Sequence, residues 1–95
     1  MKTINKRVTI NITGRVQGVN FRVYANLEAE KLGVSGFVKN EDDGSVTIVA
    51  EGETESVNKL IEWAKHGSNL SYVKRMKLKF EKPTGEFQGF EIRYQ

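Results

Sequence analysis

Val8-Thr9-Ile10-Asn11-Ile12-Thr13, then Gly14-Arg15-Val16-Gln17-Gly18-Val19-Asn20, then the run from Phe21-Arg22 to Leu32, set three kinds of local order end to end. In the first piece Val8, Ile10 and Ile12 alternate with polar residues, the period of two of a strand with one buried face. The middle piece carries glycines at 14 and 18 and no lasting period, which reads as a loop. From Phe21 the apolar positions Phe21, Ala25, Ala29 and Leu32 recur at helical spacing. Asn20, a favoured N-cap type, stands ahead of them, and Gly33 sits where a C′ glycine ends a helix.

Outward from there, residues 35–40 (SGFVKN) and 45–51 (SVTIVAE) flank Glu41-Asp42-Asp43-Gly44, and an Asp-Gly step between two β-rich runs predicts a hairpin. Val46, Ile48 and Ala50 are expected to face the core. Thr54 is placed to cap a second helix, whose Val57, Leu60, Ile61 and Ala64 follow the i, i+3, i+4, i+7 pattern. Glu55 and Lys59 form an i, i+4 pair on it, and Gly67 stops it. Met76, Leu78 and Phe80 alternate with charged residues in a fourth strand. After a turn around Pro83-Thr84-Gly85, Phe90, Ile92 and Tyr94 alternate in a fifth. The order predicts an α+β, ferredoxin-like split βαββαβ fold: an antiparallel sheet with both helices on one face and an extra C-terminal strand. Residues 1–95 are expected to form one domain, with 1–6 a loose N-terminal extension.

Composition narrows the chemistry. Hydrophobic residues at 38% with nine glycines suit an ordinary globular domain and argue against disorder. With no cysteine there is no disulfide, thiol nucleophile or cysteine metal site, and a single histidine, His66, leaves only carboxylates as metal ligands. Fifteen basic against twelve acidic residues give a net charge of +3, a mild bias toward anionic ligands. No run approaches the roughly 18 apolar residues of a membrane span, and the start lacks the apolar stretch of a signal peptide, so a cytoplasmic chain is expected.

The loop at 14–20 is the most informative segment. Glycines let backbone N–H groups converge, and the helix that follows adds partial positive charge at its N-terminus. It is not the Walker pattern, because no Lys-Ser or Lys-Thr follows the second glycine. Arg22, on the first helical turn, offers a planar guanidinium suited to phosphate. Spacing alone leaves two readings open: an anion cradle, or a flexible connector followed by a surface arginine. Asn40 likewise reads either as a functional amide or as the residue that ends a hairpin strand.

Gly14-Arg15-Val16-Gln17-Gly18-Val19-Asn20-Phe21-Arg22 closely resembles the first signature of the acylphosphatases, and Gly36-Phe37-Val38-Lys39-Asn40-Glu41-Asp42-Asp43-Gly44-Ser45-Val46 resembles the second. Ala29, Leu32-Gly33, Glu51-Gly52 and the closing Phe90-Glu91-Ile92-Arg93-Tyr94 extend the similarity over the chain apart from its first residues. The resemblance implies a free-standing, monomeric hydrolase that splits the carboxyl–phosphate anhydride of small acyl phosphates without metal or cofactor. Inorganic phosphate is then both product and inhibitor. It implies that the backbone of Val16, Gln17, Gly18, Val19 and Asn20, with Arg22, holds the phosphoryl group, and that Asn40 positions the attacking water. Asn20 departs from the family pattern of glycine or an apolar residue. A side-chain cap from Asn20 is expected to compete with phosphate for a backbone N–H and to lower activity.

Other residues have plainer readings. His66 is expected to meet the C-terminal dipole of its helix, Trp63 to cover the rim of the core, and Asp42 and Asp43 to be solvated turn residues. Lys74, Arg75, Lys77, Lys79 and Lys82 form a basic run, so a non-catalytic anion- or nucleic-acid-binding domain is the alternative. Against it, the outward residues Thr9, Asn11 and Thr13, and Thr47, Val49 and Glu51, include no aromatic ring on which a base could stack. Relatives of this kind also occur at the start of larger hydrogenase-maturation proteins, but the chain length favours the free-standing enzyme. No broad exposed apolar stripe is expected.

Overall fold

The computed structural model describes residues 3–94. Its elements are β1 (Lys6–Arg15), α1 (Phe21–Leu32), β2 (Ser35–Asn40), β3 (Val46–Gly52), α2 (Thr54–His66), β4 (Tyr72–Glu81) and β5 (Phe90–Arg93). The sheet order is β4-β1-β3-β2-β5. β1 pairs antiparallel with β3 and β4, and β2 with β3, while the added β5 runs parallel to β2. Of the first six residues, Met1 and Lys2 lie outside the described residues, and Lys6 is the first residue of β1. The Asn5 N–H donates to the Gly52 carbonyl at 3.1 Å.

Register follows from the alternation. Val8, Ile10 and Ile12 stand opposite Ala50, Ile48 and Val46, and all six are fully buried. The helical stripes Phe21, Ala25, Ala29 and Val57, Leu60, Ala64 close over them in one core. Burying a side chain of the Val, Leu or Phe class is worth roughly 1.5–3 kcal/mol each, so this shared face is what brings two short helices onto the sheet. Gly33 ends α1 in the left-handed region at φ 74.

β1 and β2 are both antiparallel to β3, which lies between them, so their C-terminal ends emerge at the same end of the sheet. That end carries the 16–20 loop and Asn40. The β1–β4 register shifts between Thr13 and Gly14. Gly14 has φ +131, and a Cβ there would stand 2.1 Å from the Tyr72 carbonyl oxygen. Only glycine lets β4 approach so closely just before the chain turns into the loop.

Several expectations are corrected. Glu53, not Thr54, is the N-cap residue of α2, and the Thr54 hydroxyl donates instead to Asn5 Oδ1 at 3.1 Å. Glu55 and Lys59 do not meet within 4 Å; the α2 ion pair joins Lys65 and Glu62 at 2.7 Å. On β4, Leu78 and Phe80 remain 41% and 53% exposed, because the strand is the sheet edge and runs beyond the cover of α2. Lys6 Nζ lies 4.8 Å over the Phe80 ring. On β3, Val49 and Glu51 are buried rather than solvent-facing. The stretch from Pro83 to Gly89 is more than a turn: it crosses under the sheet, with the Phe87 ring 5.9 Å from that of Phe37.

Candidate active site

Between β1 and α1 the chain passes Val16, which is buried, then Gly18 at φ 75 and Asn20 at φ 60. Two left-handed residues two apart curl the backbone, and glycine takes that region without a Cβ clash. Asn20 tolerates the left-handed region better than most side chains. It makes no side-chain cap, which corrects the competition expected of it. A residue with φ 60 departs from the extended N-cap geometry that aims a side-chain oxygen back at the first-turn N–H groups. Those N–H groups have no partner within the helix and remain available to an anion.

Val16, Gly18, Asn20, Phe21, Arg22, Val23 and Asn40 line one cavity of about 160 Å³. The structure thus brings Arg22 and Asn40 to one cavity with Val16, Gly18 and Asn20 of the loop. The Gln17 side chain is turned elsewhere, and Val19 packs against the core, its carbonyl accepting a hydrogen bond from the Ser68 hydroxyl at 3.1 Å. The cavity is smaller than the roughly 300–1,000 Å³ of drug-sized pockets, a size suited to one small group held at the protein surface.

Arg22 is half-buried, and among the described residues no carboxylate lies within 4 Å of it. Its guanidinium stacks 4.7 Å from the centre of the Tyr94 ring, which orients the fork, and its N–H donors have no hydrogen-bond partner among the described residues. Tyr94 was legible as an alternating residue of the fifth strand and as the end of the closing segment of the resemblance, with no sign of its partner. Its position over Arg22 depends on β5 joining the sheet beside β2, which no local signal announces. Asn40 Oδ1 is buried and, among the described residues, has no hydrogen-bond partner.

The hairpin behind Asn40 is rigid. The Glu41 N–H donates to the Ser45 carbonyl at 2.8 Å, and Asp43 Oδ1 accepts from the Ser45 N–H at 2.9 Å and from its hydroxyl at 2.6 Å. Those bonds from Ser45 hold the Asp43 carboxyl below the usual carboxylate range. Asp43 is therefore a turn residue, as its sequence suggested. Among the described residues no three His, Asp or Glu side chains come together in a metal-binding group.

A second hollow, of about 230 Å³, lies at the opposite end of the sheet, lined by Val34, Glu51, Gly52 and Phe87 among others. Its one buried acid is already engaged, since the Glu51 carboxylate accepts from Arg7 at 2.6 Å, the Thr84 N–H at 2.8 Å and the Gly85 N–H at 2.9 Å. The basic run leaves Arg75, Lys77 and Lys79 exposed on β4. Phe37, on the same face of the sheet, is covered by Phe87 and by Arg93 at 3.9 Å, so it offers those cations no open aromatic face.

The acylphosphatase family model matches residues 8–92. The chain belongs to the acylphosphatase family. An acylphosphatase from Thiobacillus denitrificans is 47% identical over 93 residues, covering 98% of each chain. One from Thermococcus kodakarensis is 48% identical over 86 residues, covering 90% of this chain and 93% of the relative. The crystal structure of acylphosphatase from Bacillus subtilis superposes with a TM-score of 0.90 at 37% identity, covering 94% of this chain and 99% of that one. As a member of the family the chain is a hydrolase of acyl phosphates, releasing phosphate. The acylphosphatase fold accounts for the α+β layout of five strands and two helices.

Proposed function

We propose that the phosphoryl group of a small acyl phosphate sits in the cradle of residues 16–20 with its charge on the backbone N–H groups and Arg22, while Asn40 orients the attacking water. The observation that carries this is that Arg22 and Asn40, from different elements, line one small cavity with Val16, Gly18 and Asn20 of the loop. A water hydrogen-bonded to the Asn40 side-chain amide presents a lone pair to phosphorus. Its oxygen forms the new P–O bond as the bond to the acyl oxygen breaks, the bonding pair leaves with the carboxylate, and the water protons pass to phosphate and solvent. Phosphoryl transfer of this kind needs positioning and charge stabilisation more than covalent help. The leaving carboxylate is a weak base, so no strong general acid is required and no metal enters the steps.

The same reading makes inorganic phosphate a competitive inhibitor and the chain a cytoplasmic monomer. The lysines along β4 and the brevity of β5 support the latter, since both discourage edge-to-edge pairing. A charged anhydride does not cross a bilayer unaided, which supports a site inside the cell. The test is benzoyl phosphate hydrolysis in excess chelator by the wild-type chain and by Asn40→Ala. Turnover is expected to fall on the order of 100-fold in the variant, the cost of losing one such hydrogen-bonding group. Phosphate inhibition should stay within about twofold. An equal loss of phosphate affinity and turnover would refute the water-positioning role.

A further inference from the structure

We propose that the Gln17 side chain is a positioning residue that sets the distance between the phosphate cradle and Asn40; this rests on the roles assigned above. Gln17 Nε2 donates to the Glu41 carbonyl at 2.8 Å and to the Ser45 carbonyl at 2.9 Å, so both amide hydrogens are used on the two sides of the β2–β3 hairpin. Glu41 directly follows Asn40 in the chain, and Gln17 lies within the cradle between Val16 and Gly18. The sheet ladder ties Ile12 and Asn40 to Val46 of β3 but does not extend into the 16–20 loop.

Other side chains that touch these segments hold them elsewhere. Asn11 reaches Ser45 from within β1, and Ser68 holds Val19 from beyond α2. Among the described residues, the hydrogen bonds joining the 16–20 loop to the hairpin are those of Gln17. Without them the strands stay paired through β3, but the loop loses its side-chain tie to the hairpin and can shift relative to Asn40. Such drift leaves phosphate binding on the cradle intact but misplaces the water, and misplacement by about an ångström costs as much as 100-fold in rate.

The experiment compares wild type, Gln17→Met, Asn40→Ala and the double variant with benzoyl phosphate, reading kcat and the phosphate inhibition constant for each. Methionine keeps length and neutrality but donates nothing. The expected result is a kcat lowered roughly 10- to 100-fold in Gln17→Met with the inhibition constant within about twofold. In the Asn40→Ala background, Gln17→Met should have little further effect, because the water has already lost its orienting group. Wild-type kcat in Gln17→Met, a matched loss of kcat and phosphate affinity, or full additivity in the double variant would each overturn the proposal. Wild-type kcat in Asn40→Ala would instead remove the water-positioning reading on which it rests, so the two failures are told apart by which single variant keeps its rate. Should Gln17→Met not fold, Gln17→Asn, whose amide is one carbon too short to reach both carbonyls, is held to the same outcomes.

Discussion

Arg22 and Asn20 show how much a single residue's neighbours decide. Arg22 is oriented by the Tyr94 face and meets no acid among the described residues, which suits it to an incoming anion. Arg22→Ala should therefore remove phosphate inhibition along with turnover, the latter by about 10³-fold or more, the scale of a lost charge-stabilising arginine. Retained phosphate inhibition in that variant would show that the backbone cradle binds alone. Asn20 holds φ 60 and caps nothing, so its amide is not a competitor for the substrate. Asn20→Gly is expected to leave phosphate inhibition within about twofold of wild type, whereas Asn20→Ala should cost roughly 1–2 kcal/mol of stability from left-handed strain. A marked tightening of phosphate inhibition in Asn20→Gly would reinstate the competing cap.

At the scale of elements, the β1–β4 pairing shifts register between Thr13 and Gly14, just before the chain enters the cradle. Gly14 and Gly18 both have positive φ, yet a Cβ at Gly14 would meet the Tyr72 carbonyl, whereas one at Gly18 would meet nothing within 4 Å. Gly14→Ala is thus expected to destabilise by more than about 3 kcal/mol, through clash as well as strain, and Gly18→Ala by about 1–2 kcal/mol. Urea denaturation of the two variants checks the ranking, and equal losses would mean that β4 shifts freely. The legibility of the elements follows the same division. Strand and helix periods were plain because they are local, and the signatures marked the cradle and Asn40. The exposure of Leu78 and Phe80 was not legible, since alternation tells which face a residue takes and not whether a helix reaches far enough to cover it.

The whole molecule is tied together at the end of the sheet away from the cradle. Burial pushes the Glu51 carboxyl up, but hydrogen bonds from Thr84, Arg7 and Gly85 outweigh it and hold the group below its ordinary range. A carboxyl depressed on folding stabilises the protein above its unfolded pKa of about 4.3, and that contribution is lost as pH falls through the folded value. Unfolding free energy should therefore hold between about pH 7 and 5 and decline below about 4.3. Glu51→Gln should lower stability at pH 7 by about 3 kcal/mol, the scale of a broken buried pair, and flatten the acid decline. An unchanged acid slope in that variant, measured by urea titration at each pH, would assign the decline to other carboxylates such as Asp43.

The sequence by itself determined the alternating strands, the two amphipathic helices, their order, and through two signatures the family and the residues at the candidate site. These are properties of neighbours along the chain, and period, turn chemistry and spacing express them directly. Tertiary structure alone decided that Tyr94 stacks on Arg22, that Gln17 spans from the cradle to the hairpin, and that Glu51 is buried beneath the loop from Pro83 to Gly89. Each of these contacts joins residues far apart in sequence. They exist only once sheet order and parallel closure by β5 have brought distant segments together, and no residue's own period or propensity records where its partner will lie.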